Sequence, residues 1–270
     1  MDTDNKILEK YIKDHTLEVL RIIEKLSNEE IIGLFKSISA ELSALLISKM
    51  DRFKAARCLE TIDLEIAIKL ISSLNISSTA LILRQIEENL RNSIVDGLSI
   101  ENSKLLRQIL KYPDNSVGAY LDPVVFTLYE DLSIGQGLER IKESHPHVGS
   151  HVFILSRNQS LVGFIDLKEL ITGDLSNPIR KIMNNNPPKI LAEMDIKVLL
   201  KEQAWDELFT FLPVVNLQGI FLGVIRKKTL SEIKAKEKTS DYHAKQASIA
   251  LGDLYQIGFS SLIRSASEII

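Results

Sequence analysis

The sequence has 270 residues, enough for two domains or three small ones. With 33 Lys and Arg against 36 Asp and Glu its net charge is −3, so no global basic field calls for nucleic acid. One cysteine fits a reducing compartment.

The acidic start Met1-Asp2-Thr3-Asp4 has no apolar core behind it, so no signal peptide is expected. Residues 1–26 lack Gly and Pro, and Ile7, Leu8, Tyr11, Ile12, Leu17, Leu20 and Ile23 suggest one or two helices.

A ladder with a period of twelve follows, from Ile22 to Leu110. Its first register is Ile22, Leu34, Leu46, Cys58, Leu70, Ile82, Ile94 and Leu106. Its second is Ile23, Phe35, Ile47, Leu59, Ile71, Leu83 and Val95, and its third Leu26, Ile38, Met50, Ile62, Leu74, Ile86, Leu98 and Leu110. In a chain that is 45% apolar, chance gives such a run on the order of once in 10⁸. After each third-register rung comes Ser27, Ser39, Asp51, Asp63, Asn75, Glu87 or Ser99, mostly good helix N-caps. Apolar positions at i, i+1 and i+4 form one helical face, but twelve residues are not a whole number of turns. The segment therefore reads as short helices of roughly eight or nine residues joined by tight turns. They must stack to survive, which predicts a superhelical array. Cys58 on a rung reads as a small buried hydrophobe; a nucleophile would need partners that are not evident.

All seven prolines and all glycines but Gly33 and Gly97 come after residue 112, which marks a boundary near Tyr112-Pro113. Beyond it, strands are predicted at Val124–Leu128, His151–Leu155 and Leu161–Ile165, with helices at Ile134–Glu143 and from Leu167. About sixty residues on, the pattern returns: strand-like Pro188–Leu191, helical Ile196–Asp206, strands Leu212–Val215 and Ile220–Ile225. Gly163 aligns with Gly223 and Leu155 with Val215. Two such units, each exposing one face of a small sheet, should pack as a pair. Leu208–Ile225 is uncharged but contains Pro213, Gly219 and Gly223, so it is two strands around a turn and no bilayer span is expected. The last segment, 226–270, reads as helices. Its weakly amphipathic stretch from Ile249 to Ile263 is either a docking helix or a partner-binding element.

The duplicated unit, with Leu212-Pro213-Val214-Val215-Asn216, Gly219 and Leu222-Gly223-Val224-Ile225, resembles a tandem CBS pair, or Bateman module. A short-helix array, then Tyr112-Pro113-Asp114-Asn115-Ser116-Val117-Gly118 and Leu121-Asp122-Pro123, then that pair, resembles the cytosolic half of MgtE-type magnesium channels. The fold expected is thus α plus α/β. It comprises an N-terminal helical segment (1–27), an MgtE-N-like array (28–120), CBS 1 (121–178), CBS 2 (179–232) and a C-terminal helical tail (233–270). The resemblance implies a non-catalytic cytoplasmic regulator and a homodimer through the CBS pair. In the family, magnesium between acidic surfaces holds the assembly compact, because facing carboxylates repel until a hard dication neutralises them. CBS units also often bind adenine nucleotides, ATP or AMP. The family's pore-forming helices have no counterpart in these residues.

Both ligand patterns are altered here. Where a Ser or Thr and then an Asp would hold a nucleotide, this chain has Asp166 and Glu169 in one unit and Arg226 and Thr229 in the other. Arg226, Lys227 and Lys228, with Asp166 at the matching position, are the candidate nucleotide or anion site. Asp114, Asp122, Glu87, Glu88 and Glu169 are the candidate metal-binding acids. His145, His147 and His151 have spacing that suits zinc, nickel or cobalt, yet lie about a pre-strand loop with one nearby acid, Glu143, and read equally as a solvated loop. Trp205 reads as a packing residue. No nucleophile frame argues for catalysis. Ion or ligand sensing passed to a transporter or other partner is the expected function. An adenine-nucleotide sensor and a ligand-free scaffold are the alternatives.

Overall fold

The computed structural model describes residues 2–143, 149–201 and 210–235. His145, His147, Trp205 and the expected amphipathic stretch at 249–263 lie outside the described residues. The chain divides into two compact units, residues 1–226 and 227–270. In the second, 227–235 is helical.

The first unit opens with α1 (Asp2–Asp14) and α2 (Thr16–Ile23). Then come α3 (Asn28–Ser37), α4 (Ala40–Lys49), α5 (Arg52–Glu60), α6 (Leu64–Ser72), α7 (Ile76–Leu83), α8 (Glu88–Asp96) and α9 (Ile100–Leu110). From α3 to α9, each helix starts one residue after a predicted cap. The side chains of Ser27, Asp51, Asn75 and Ser99 accept first-turn backbone N–H groups. Ser39, Asp63 and Glu87 hold the cap position without such a bond. The phase reaches one repeat further back than the apolar ladder, since α2 follows an N-cap at His15.

Each helix packs on the helix two along: α3 on α5, α4 on α6, α5 on α7, α6 on α8, α7 on α9. The short helices thus alternate between two layers and share one core. The second register, from Ile23 to Val95, is buried at every rung, each side chain contributing about 1.5–3 kcal/mol. Ile22 departs from the expectation and is half exposed. It belongs to the terminal rung, where α2 packs through Val19, Leu20 and Ile23. Cys58 is buried, and burial pushes its thiol pKa up against the opposing pull of Lys54. It is a core side chain.

A buried 3-10 turn, Val117–Tyr120, packs on α7, α9 and β4. Two small three-stranded sheets follow. The first repeat holds β1 (Thr127–Tyr129), α10 (Ile134–Glu143), β2 (His151–Leu155), β3 (Leu161–Asp166) and α11 (Leu167–Thr172). The second holds β4 (Ile190–Leu191), α12 (Ile196–Lys201), β5 (Phe211–Val215) and β6 (Phe221–Arg226). The strand orders are β1-β2-β3 and β4-β5-β6, parallel then antiparallel in both. Register repeats too: Ile154 pairs with Gly163 and Val214 with Gly223, and each hairpin slips just beyond, at Ile154/Leu155 and Val214/Val215. A shared core of Phe153, Leu155, Leu161, Val215 and Val224 joins the repeats.

The strand expected at Val124–Leu128 begins three residues later, at Thr127. Its lead-in is diverted: Asp122 bridges to Val224 of the second repeat, with Asp122 N–H donating to the Val224 carbonyl at 2.6 Å and Val224 N–H returning at 2.9 Å. Asn184, which leads into the second repeat, bridges to Phe164 of the first in the same way. Each repeat therefore donates its lead-in to the other.

Candidate functional site

The crossed lead-ins build the site. In β2–β3, His151 sits opposite Asp166; in β5–β6, Phe211 sits opposite Arg226. These are the same repeat positions with different chemistry. His151 Nε2 is 3.8 Å from Asp166 Oδ2, and the Asp166 Oδ1 caps α11 by accepting Lys168 N–H at 2.7 Å. The Asp166 carboxylate is thus engaged at the point where the resembled family places a phosphate contact. Arg226 stands over the Phe211 ring at 5.0 Å. Its guanidinium is also taken by Asp122, with Nε donating to Oδ2 at 2.8 Å and Nη2 to the same oxygen. Asp122 Oδ1 accepts Val124 N–H at 3.1 Å. The carboxylate is nearly buried, which strengthens a charge-assisted bond.

Two candidates of opposite role, Asp122 for metal and Arg226 for anion, therefore meet each other. The sequence gives no local signal of this, because the partners come together only through the bridge at Val224. That bridge needs Gly223, whose φ is +145°, since a Cβ there would lie 2.3 Å from the Asp122 carbonyl oxygen. Gly163 plays the matching part, its added Cβ falling 2.7 Å from the Asn184 carbonyl oxygen.

Lys227 and Lys228 open the second unit, where Lys228 lies 3.9 Å from Glu232. Asp114 is exposed and paired with Arg84, whose side chain is buried. Glu87 caps α8, and Glu88 follows in its first turn. Glu169 is exposed in the first turn of α11. Among the described residues, no three His, Cys, Asp or Glu side chains gather as a metal-holding group. No helix among them is long and apolar enough to cross a membrane.

Residues 14–115 match the family model of the MgtE intracellular N domain. This chain carries an MgtE N domain followed by a CBS pair. A magnesium transporter MgtE from Thermus thermophilus is 22% identical over 137 residues, covering 50% of this chain and 30% of the transporter's length. The fold is that of the solved soluble part of a magnesium transporter, with a TM-score of 0.70, 16% identity and coverage of 88% of this chain and 99% of that one. It is shared with the cytosolic domain of the Mg²⁺ channel MgtE solved with ATP (TM-score 0.58, 17% identity, 84% and 98% covered). A cystathionine β-synthase pair domain from Shewanella oneidensis matches at TM-score 0.51 and 11% identity, covering 62% of this chain and 98% of its own. The expected order, array and then CBS pair, is the one these relatives share.

Proposed function

We propose that this chain is a regulatory module that senses an ion or small ligand and passes a change in domain spacing to a partner. The proposal extends to a homodimer through the CBS pair, a cytoplasmic setting, and a partner of the magnesium-transporter type, as in the relatives. The observation that carries it is the continuous mechanical path from array to CBS pair. The buried turn Val117–Tyr120 packs on α7 and α9, while Val117 and Gly118 N–H groups donate to Met194 and Ala192 carbonyls of the second repeat, each at 2.8 Å. A change in one part is transmitted through packed contacts rather than a loose tether.

Magnesium needs near-octahedral oxygen ligands, and the described carboxylates do not gather to supply them. Asp114 and Asp122 are each held by an arginine, and Glu87, Glu88 and Glu169 stand at helix starts. No step is routed through a magnesium ion held within one chain. The second reading, an adenine-nucleotide sensor, is favoured by the relative solved with ATP. It requires Arg226 to exchange Asp122 for a phosphate.

The test is the thermal midpoint against magnesium, with calcium as control and ATP and AMP in parallel. A ligand at 100 times its dissociation constant adds about 2.7 kcal/mol. A saturable magnesium response in the millimolar range supports ion sensing. A nucleotide response that Arg226→Ala abolishes supports the second reading. A flat response to all of them overturns both and leaves an interaction scaffold.

A further inference from the structure

The MgtE N domain contains a basic cavity that neither ligand reading uses. It has a volume of about 560 Å³ and lies where the C-terminal end of α7 meets α8, α9 and the segment after α9. Arg84, Arg91, Arg107 and Lys111 line it against a single acid, Asp114, with Tyr112 alongside. Two of the cations are committed. Arg84 pairs with Asp114 and donates Nη2 to the Ile109 carbonyl at 2.8 Å, and Arg107 pairs with Asp96. Arg91 and Lys111 have no carboxylate within ion-pair distance among the described residues. Arg84 is nine-tenths buried and its Nε has no hydrogen-bond partner among the described residues. Four cations converging on one hollow repel each other, and such an arrangement is relieved by an anion.

We infer that this cavity binds a small phosphorylated compound. Guanidinium forks match phosphate oxygens in pairs, which a lone lysine does not. The volume falls within the roughly 300–1,000 Å³ of small-molecule sites, so the ligand is a phosphate carried on an organic body or a condensed phosphate. Lys111 precedes the segment that enters the Val117–Tyr120 turn. An anion joining Arg91 of α8 to Lys111 therefore fixes the joint between the array and the CBS pair. Tyr112 is a neutral hydroxyl at physiological pH, since burial, and then the nearby Glu193 charge, push its pKa up.

The probe is inorganic pyrophosphate, titrated by calorimetry into the full chain at constant ionic strength, with chloride as the balancing salt. Saturable binding that weakens at least tenfold in Arg91→Ala/Lys111→Ala, and is unchanged in Arg226→Ala, supports the site. Should that double variant fail to fold, phenylglyoxal labelling of the wild-type chain serves instead, with pyrophosphate protecting Arg91 from modification. No binding overturns the inference. So does binding that Arg226→Ala removes and Arg91→Ala/Lys111→Ala retains, because the anion would then sit on the CBS pair. Equal effects of chloride, or labelling of Arg91 that pyrophosphate does not slow, overturn it as well.

Discussion

Asp122 and Arg226 are 104 residues apart in sequence and share a two-bond ion pair in which both guanidinium donors reach one carboxylate oxygen. The pair closes the second repeat onto the chain that enters the first. Because Asp122 is largely withdrawn from water, removing either partner strands the other. Asp122→Asn and Arg226→Ala should each cost about 1–3 kcal/mol in urea denaturation. The double variant should cost clearly less than the sum, since the second change removes a group already left unpaired. Strict additivity would show that the two groups do not act as a pair.

The caps of the array divide into two classes, and substitutions should separate them. Asp51→Ala, Asn75→Ala and Ser99→Ala each remove a side chain that accepts backbone N–H groups, and should cost about 1 kcal/mol apiece. Glu87→Ala removes no such bond, and should fall within about 0.5 kcal/mol of wild type. Chemical denaturation of the four variants under identical conditions decides the matter. Equal losses at all four would mean that cap identity, not the hydrogen bond, sets helix starts here.

Glycines test the crossed lead-ins. Gly223→Ala places a methyl against the Asp122 backbone at a φ that side chains rarely adopt. A loss of about 3 kcal/mol or more is expected, with failure to fold as the extreme. Gly33 lies within α3 with open space around it, so Gly33→Ala should stabilise by about 0.5–1 kcal/mol. Thermal midpoints moving in opposite directions would confirm both.

What could be read from residues alone follows from how local the cause is. The array was legible because each rung repeats one demand, an apolar face and then a cap, within twelve residues. The duplicated sheets were legible from Leu155, Gly163, Val215 and Gly223, whose spacing repeats in the strand registers. The pairings across long separations were not. Asp122 was read as a metal ligand and Arg226 as an anion ligand, and only the bridge to Val224 reveals their contact. Likewise Arg84, Arg91, Arg107 and Lys111 lie on separate turns with no motif among them, and their convergence is a product of how α7, α8 and α9 stack.

Acid should loosen the array at its first capping box. Ser27 N–H donates to the Glu30 carboxylate at 2.8 Å, and this bond, with the Ser27 side chain next, holds the Glu30 pKa below its ordinary value. A carboxyl whose folded pKa is depressed lends stability above its unfolded pKa and loses it as pH falls through the folded one. Asp131, held by Arg157, and Asp174, held by Ser176, shift the same way. The midpoint difference between wild type and Glu30→Gln should therefore be largest near neutral pH and shrink through the carboxylate range. A difference constant down to acid pH would show that the charge on Glu30 plays no part.

The last prediction concerns a polar group that the core does not satisfy. Thr79 lies on α7, almost fully buried, and its hydroxyl has no hydrogen-bond partner among the described residues. A buried unpaired hydroxyl costs about 1–3 kcal/mol relative to an apolar group of the same shape. Thr79→Val keeps the branched volume and replaces the oxygen with a methyl, so it should raise stability by about 1 kcal/mol. Thr79→Ala removes the hydroxyl too but leaves a void between α7 and its neighbours, which offsets the gain. Valine above wild type and alanine at or below it is the expected order by urea denaturation. Valine below wild type would show that the hydroxyl is satisfied in solution by a buried water, and that the layer is built around that water.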